Sequence, residues 1–238
     1  SRAFVLFSGS AVVAWGDMTL GGDINAVNHR LQSSAVQDIQ VADGSCAALL
    51  ADGSVVTWGF PGGGGCSKDV QDQLVNVQQI QANWGAFAAI KADETVITWG
   101  SGLHGGFFFF FCRLIGVQRI QSAHGAFTAI MSNGTAVSWG YRIMGGDSSE
   151  VQEQLTEVQE VQATKEAFAA IRRDGSVVTW GSSRGGDSRG VQDQLQNVKA
   201  IQSTAGAFAA ILGNGKVVTW GDPQVGGDTW NLYYSPGN

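Results

Sequence analysis

The chain has 238 residues, a formal net charge of −6, only 14% charged residues and 34 glycines. This acidic balance, with a sequence pI near 4.9, argues against a surface that tracks nucleic-acid phosphates, which needs clustered Lys and Arg. No apolar run approaches the roughly 18 residues of a membrane span, and no Pro/Ser-rich or one-signed stretch marks a disordered tail.

The first predicted element is a hairpin, Ala3-Phe4-Val5-Leu6-Phe7 followed by Ala11-Val12-Val13-Ala14-Trp15. The Trp15-Gly16 ending returns at Trp58-Gly59, Trp99-Gly100, Trp139-Gly140, Trp180-Gly181 and Trp220-Gly221, at spacings of 43, 41, 40, 41 and 40 residues. A fixed period of this length marks a repeat architecture whose units bury their apolar faces against one another.

Each full unit opens on a glycine pair, usually followed by Asp, and then Val-Gln-x-Gln-Leu (Val70 to Leu74, Val151 to Leu155, Val191 to Leu195). That stretch reads either as an outer edge strand or as one helical turn, with Gln and Glu facing outward. A first strand of the Val-Gln-x-Ile/Val-Gln type follows, carrying Gln40, Gln81, Gln121, Gln162 and Gln202. These glutamines suggest amides bonded between blades or around a channel. The second strand, as in Ala86-Phe87-Ala88-Ala89-Ile90, is apolar throughout, which implies cover on both faces.

An Asp-Gly or Asn-Gly tip at Asp52-Gly53, Asn133-Gly134, Asp174-Gly175 and Asn214-Gly215 predicts a type I′ hairpin into the third strand. Asp93-Glu94 breaks the rule and predicts a looser or displaced tip. Phe107 to Phe111 and Cys112 replace the usual Asp-Ser stretch in one unit, which reads as a degenerate repeat.

The fold class is therefore all-β: a β-propeller of about six short blades, each of three to four antiparallel strands. The chain is one repeat domain, 1–238, with a partial unit 1–20, units 21–61, 62–104, 105–144, 145–184 and 185–225, and a partial tail 226–238. Six hairpins but only five first strands are present. Either the tail around Trp230 to Tyr234 completes the first blade, or the chain is a fragment of a seven-bladed ring. The tryptophans Trp15, Trp58, Trp99, Trp139, Trp180 and Trp220 are its structural repeat residues.

The Asp-Gly-x-Val-x-x-Trp-Gly ending, the glycine pair after it and the Val-x-x-Ile-x-Ala strand make the units similar to those of the regulator-of-chromosome-condensation family of β-propellers. The resemblance spans about Ala3 to Asp228. It implies the propeller fold and either a protein-binding scaffold or the regulatory propeller of a guanine-nucleotide exchange factor or of a HECT-type ubiquitin ligase. The chain departs from the family pattern in several ways, Gly-Gly-Asp in place of the usual Asn and Gln-Leu-Gly of the post-tryptophan loop among them. Phe87, Phe127, Phe168, Phe208 or Cys46 stands where family units carry His, and no long loop matches the wedge used on a small GTPase.

Sequence chemistry is sparse. His29, His104 and His124 lie in different units, so neither a metal site nor another cofactor is expected. Cys46, Cys66 and Cys112 have no repeated placement and read as free thiols, which points to a cytoplasmic protein. Gly62 to Gly65 lacks the Lys-Ser/Thr of a phosphate loop and reads as a turn. The recurring Asp23, Asp147, Asp187 and Asp228 read as Asx-turns. No catalytic set emerges, so the chain is not expected to be an enzyme.

Recognition is expected from the residues that vary between units. Trp84, His124, Lys165 and Glu166 lie between first and second strands, and Tyr141, Arg142 and Arg184 follow the tryptophans. By topology these loops share a rim, and Trp, Tyr and Arg are the types enriched at binding hot spots. The expected partner is another protein, with no nucleic acid and no membrane. The chain is expected to be a monomer or part of a longer multidomain protein.

Overall fold

The computed structural model describes residues 3–9, 11–107 and 114–228. Two compact units make up the chain, residues 1–120 and 121–238. The Phe108–Phe111 run, Cys112 and the tail from Trp230 to Tyr234 lie outside the described residues, so the readings placed on them are untouched by the structure.

Unit 1 starts with a two-stranded hairpin, β1 (Ala3–Ser8) and β2 (Ala11–Gly16). A short helix α1 (Asn28–Leu31) leads to β3 (Val36–Ala42), β4 (Ser45–Leu50) and β5 (Val55–Gly59), which form one antiparallel sheet in chain order. The next sheet is β6 (Val77–Ala82), β7 (Ala86–Lys91) and β8 (Val96–Gly100). The division between units falls within β9 (Val117–Ser122), which forms a sheet with β10 (Ala126–Met131) and β11 (Ala136–Gly140). Unit 2 continues with the sheet of β12 (Val158–Ala163), β13 (Ala167–Arg172) and β14 (Val177–Gly181). After helix α2 (Ser183–Gly186) comes the last sheet, β15 (Val198–Ser203), β16 (Ala207–Leu212) and β17 (Val217–Gly221).

The three-stranded sheet is the repeating blade, and among the described residues the first blade shows its hairpin, β1 and β2. The first strands solve a spacing problem. Val77 and Ile80 are three residues apart, so strict alternation would send them to opposite faces. A β-bulge between Val77 and Gln79 shifts the register, and both side chains enter one core. The same shift occurs in β3, β12 and β15.

Blades pack face to face. In unit 1, Ala47, Leu49 and Val55 of one blade meet Leu74, Ile80, Phe87 and Trp99 of the next. In unit 2, Ala169, Ile171 and Val177 meet Leu195, Ile201, Phe208 and Trp220. The small Ala rows let the sheets approach, while Phe and Trp, paired across strands, fill the space. Phe87 stacks on Trp99 with centroids 5.2 Å apart, and Phe168 on Trp180 at 5.4 Å. The indole N–H of Trp58, Trp99 and Trp180 reaches back to the carbonyl of Gly21, Gly64 and Gly145 respectively, at 3.0–3.2 Å. β7 is buried along nearly its whole length, as its unbroken apolar run predicts.

Three local expectations change. First, the hairpin tips are not type I′. Only the third loop residue has positive φ (Gly53 at 76°, Gly175 at 77°), and Gly53 N–H bonds Leu50 O at 2.9 Å. This is a type I turn closed by a left-handed residue, with Asp52 Oδ1 accepting from Ser54 N–H and hydroxyl. Second, the Asp93-Glu94 tip keeps the common register, Ile90 opposite Val96, because Glu94 itself takes φ 59°. Third, the Val-Gln-x-Gln-Leu stretch is a 3-10 turn, seen at Ser149–Gln154 and Gln192–Gln194, and its first glutamine tucks against the sheet instead of facing outward.

That glutamine caps the outer strand. Gln71, Gln152 and Gln192 donate to the carbonyls of Val55, Ala136 and Val177. Ser67, Ser148 and Ser188 donate in turn to the glutamine carbonyls. A side-chain relay thus satisfies part of the sheet edge that a fourth strand would otherwise pair. The first-strand glutamines behave differently from expectation as well. Gln40 and Gln162 bond Asp38 and Glu160 on their own strands, two residues back, not a neighbouring blade.

Candidate partner-binding rim

The loops between first and second strands are held by side-chain caps. In unit 1, Asn83 Oδ1 accepts from Gly85 N–H at 3.0 Å and Ala86 N–H at 2.9 Å. Its Nδ2 donates to the His104 carbonyl at 2.7 Å, which ties this loop to the one after Trp99. Trp84 rides on this buried anchor, half exposed, edge-on to His104 at 5.3 Å. The Asp43 N–H donates to the Trp84 carbonyl at 2.8 Å, and Phe60 N–H donates to Gly44 at 2.7 Å. Exposed Phe60, Trp84 and Leu103 therefore sit on one rim of unit 1.

Unit 2 repeats the arrangement. Thr164 Oγ1 accepts from Ala167 N–H at 3.0 Å, the hydroxyl taking the role of the Asn83 amide oxygen. A backbone chain runs His124 N–H to Lys165 O at 2.8 Å and Lys165 N–H to Ala205 O at 3.0 Å. The post-tryptophan loops dock alongside, with Tyr141 N–H on Gly125 O and Ser182 N–H on Glu166 O. His124, Lys165, Glu166, Tyr141, Arg142 and Arg184 are thus on loops that share one rim of unit 2. Lys165, Arg142 and Arg184 are exposed; His124, Glu166 and Tyr141 are half-buried. Trp84 belongs to unit 1, so the expected residues divide between the two units.

The sequence placed His104 on a varied loop but gave no sign that its ring supports Trp84, nor of a cleft of about 710 Å³ in unit 2. Arg142, Asp147, Val177, Trp180, Asp187 and Arg189 line the cleft. Arg142 pairs with Asp147 at 3.0 Å and Arg189 with Asp187 at 2.6 Å. The recurring Gly-Gly-Asp was the available signal. Asp23, Asp147 and Asp187 are Asx-turn residues as expected, accepting from the N–H two residues on. The Arg189 side chain, followed by its backbone N–H, holds Asp187 down at a pKa of about 2. Burial pushes the Cys46 thiol up to about 12. Cys46 and Cys66 are both free, one buried and one exposed.

No protein-family model matches the sequence, and no curated protein is significantly similar to it. Solved structures are. Human WBSCR16 superposes with a TM-score of 0.58 at 15% identity, over 92% of this chain and 75% of that one. Prp20p from Saccharomyces cerevisiae, in a structure described with its binding to Gsp1p and histones, gives 0.54 at 15%, over 92% and 70%. Yeast RCC1 (Prp20) bound by Kap60 gives 0.52 at 17%, over 92% and 68%. At these identities the likeness speaks for the fold. Together with the repeated antiparallel sheets and their Trp-Gly endings, it establishes that this chain has the regulator-of-chromosome-condensation-type β-propeller fold, with about six blades.

Proposed function

We propose that the protein is a non-catalytic interaction module that binds a partner protein through the rim built by its first-to-second-strand and post-tryptophan loops. One observation carries the reading: Trp84 is a large aromatic side chain, half exposed, on a loop that Asn83 and two backbone bonds hold in place. A pre-ordered aromatic costs little entropy on binding and serves as an anchor. Tyr141, Arg142, Lys165 and Arg184 add hot-spot residue types and charge on the corresponding loops of unit 2. The structures of Prp20p with its Gsp1p and histone binding, and of yeast RCC1 with Kap60, support the reading, because the same fold there engages proteins. A cytoplasmic location goes with the proposal, on the strength of the free Cys46 and Cys66.

The test is affinity capture with the native chain and with a Trp84→Ala, Tyr141→Ala double variant, followed by binding titration of the captured protein. The variant should keep the native melting curve and lose most of the affinity. A partner that binds both forms equally would place recognition elsewhere.

A further inference from the structure

The loops on the rim of unit 1 form one connected surface. Leu20 packs against Gly44, where an added Cβ would lie 2.5 Å from the Leu20 Cδ2. Phe60 N–H donates to the Gly44 carbonyl at 2.7 Å, and Asp43 N–H to the Trp84 carbonyl at 2.8 Å. The Cβ position of Gly63 lies 3.4 Å from the Asp43 carbonyl oxygen and 3.5 Å from the Phe60 ring. Asp43 is thus held between the loop of Phe60 and the loop of Trp84.

This surface pairs apolar exposure with one sign of charge. Met18 is 67% exposed, Phe60 50%, Trp84 46% and Leu103 58%. The charged residues of loops 17–22, 43–44, 60–65, 83–85 and 101–106 are Asp17 and Asp43, with no Lys or Arg. The rim of unit 2 differs, with Arg142, Lys165 and Arg184 beside Glu166 and Asp222. Asp17 is engaged within its own loop, accepting from the Thr19 N–H and hydroxyl. The exposed Asp43 carboxylate forms no ion pair or hydrogen bond among the described residues.

These two properties select the occupant. A partner laid across Phe60 and Trp84 takes water from the Asp43 carboxylate between them. A neutral segment would leave that charge desolvated and unmatched, and an acidic one would add repulsion. A Lys or Arg side chain meets both demands, because its stem covers apolar surface while its head reaches the carboxylate. A cation over an indole face gains a further attraction from the ring.

We propose that the Phe60, Asp43 and Trp84 part of this rim docks a basic segment of the partner protein, a Lys or Arg side chain lying against the aromatic rings with its charge on Asp43. The proposal rests on the reading of the rim as partner-binding and adds the chemistry of what it binds.

An array of short random-sequence peptides, probed with the whole 238-residue chain, tests it. The bound peptides should carry net positive charge beside apolar residues, and their affinity should fall as salt rises. In titrations of the tightest of them, Asp43→Asn and Trp84→Ala should each weaken binding about tenfold. Asp193→Asn removes the same charge from an exposed position outside the rim and should leave binding unchanged. That control separates the site from general attraction to an acidic chain. Asp43→Asn alone decides the matter if Trp84→Ala lowers the melting temperature. Bound peptides without net positive charge, no bound peptides, or equal affinity for Asp43→Asn overturn the proposal. Neutral or acidic peptides that lose affinity with Trp84→Ala overturn it and leave the rim reading in place. Peptides indifferent to Trp84→Ala remove both.

Discussion

Gln152 Nε2 donates a 2.8 Å hydrogen bond to the backbone carbonyl of Ala136, and Ser148 Oγ donates to the Gln152 carbonyl at 2.9 Å. Ala136 is buried and starts the outermost strand of its blade. The pair closes a sheet edge with a side chain. Gln152→Leu removes both functions and leaves a buried carbonyl and the buried Ser148 hydroxyl unmet, at an expected cost of about 1–3 kcal/mol. Urea unfolding measures it. A midpoint equal to wild type would mean that water replaces the amide without loss.

Repeat tryptophans should differ sharply in what they contribute. Trp99→Ala empties a filled interblade contact and should cost about 3–5 kcal/mol. Trp15→Ala, half exposed and stacked on Phe4 at 5.5 Å, should cost much less. Paired thermal melts decide, and equal losses would show that Trp15 is covered in solution.

Glu94 occupies a left-handed backbone position, φ 59°, that Gly53, Gly134, Gly175 and Gly215 occupy at the other tips. A side chain there costs roughly 1–2 kcal/mol. Part of that is returned by the greater freedom glycine gives the unfolded chain. Glu94→Gly should raise stability by about 1 kcal/mol, read from the urea midpoint. A lower midpoint would show that the Glu side chain makes a compensating contact.

The turn carboxylates set an acid limit. The Arg189 side chain and backbone N–H lower Asp187 to about 2, and the Ser54 and Ser176 hydroxyl and backbone N–H groups lower Asp52 and Asp174. These groups bind protons less tightly folded than unfolded, so their stabilisation is complete above the unfolded carboxylate range near pH 4. It is lost as pH falls through the folded values, toward about 2 for Asp187. Stability should therefore drop between those limits, and Asp187→Asn should flatten part of the slope. Both ends of these contacts are exposed, so the effect of any one is small.

Thiol chemistry should separate two cysteines. Cys66 is exposed, while Cys46 is buried with its thiol raised to about 12. Alkylation near neutral pH should label Cys66 rapidly and Cys46 only on unfolding. Peptide mapping by mass spectrometry reads this directly.

Much of this protein was written in its periodicity. The six Trp-Gly endings and the Val-x-x-Ile strands imply blades and a fold class, because a face that alternates or is apolar throughout has few ways to be covered. The Asx-turn role of Asp23, Asp147 and Asp187 was likewise legible, since it depends on residues two positions apart. What needed three dimensions was every choice between near-equal local options. The tip turns became type I because the Asp52 carboxylate bonds Ser54 and leaves only Gly53 left-handed. The Gln71, Gln152 and Gln192 amides turned inward because a strand edge required a partner, a demand no linear pattern displays. That Phe4 and Trp15 carry the same motif as Phe87 and Trp99 is a fact of sequence. That one pair lies bare while the other is sealed follows from which sheets stand beside them, because burial is a property of neighbours and not of residues.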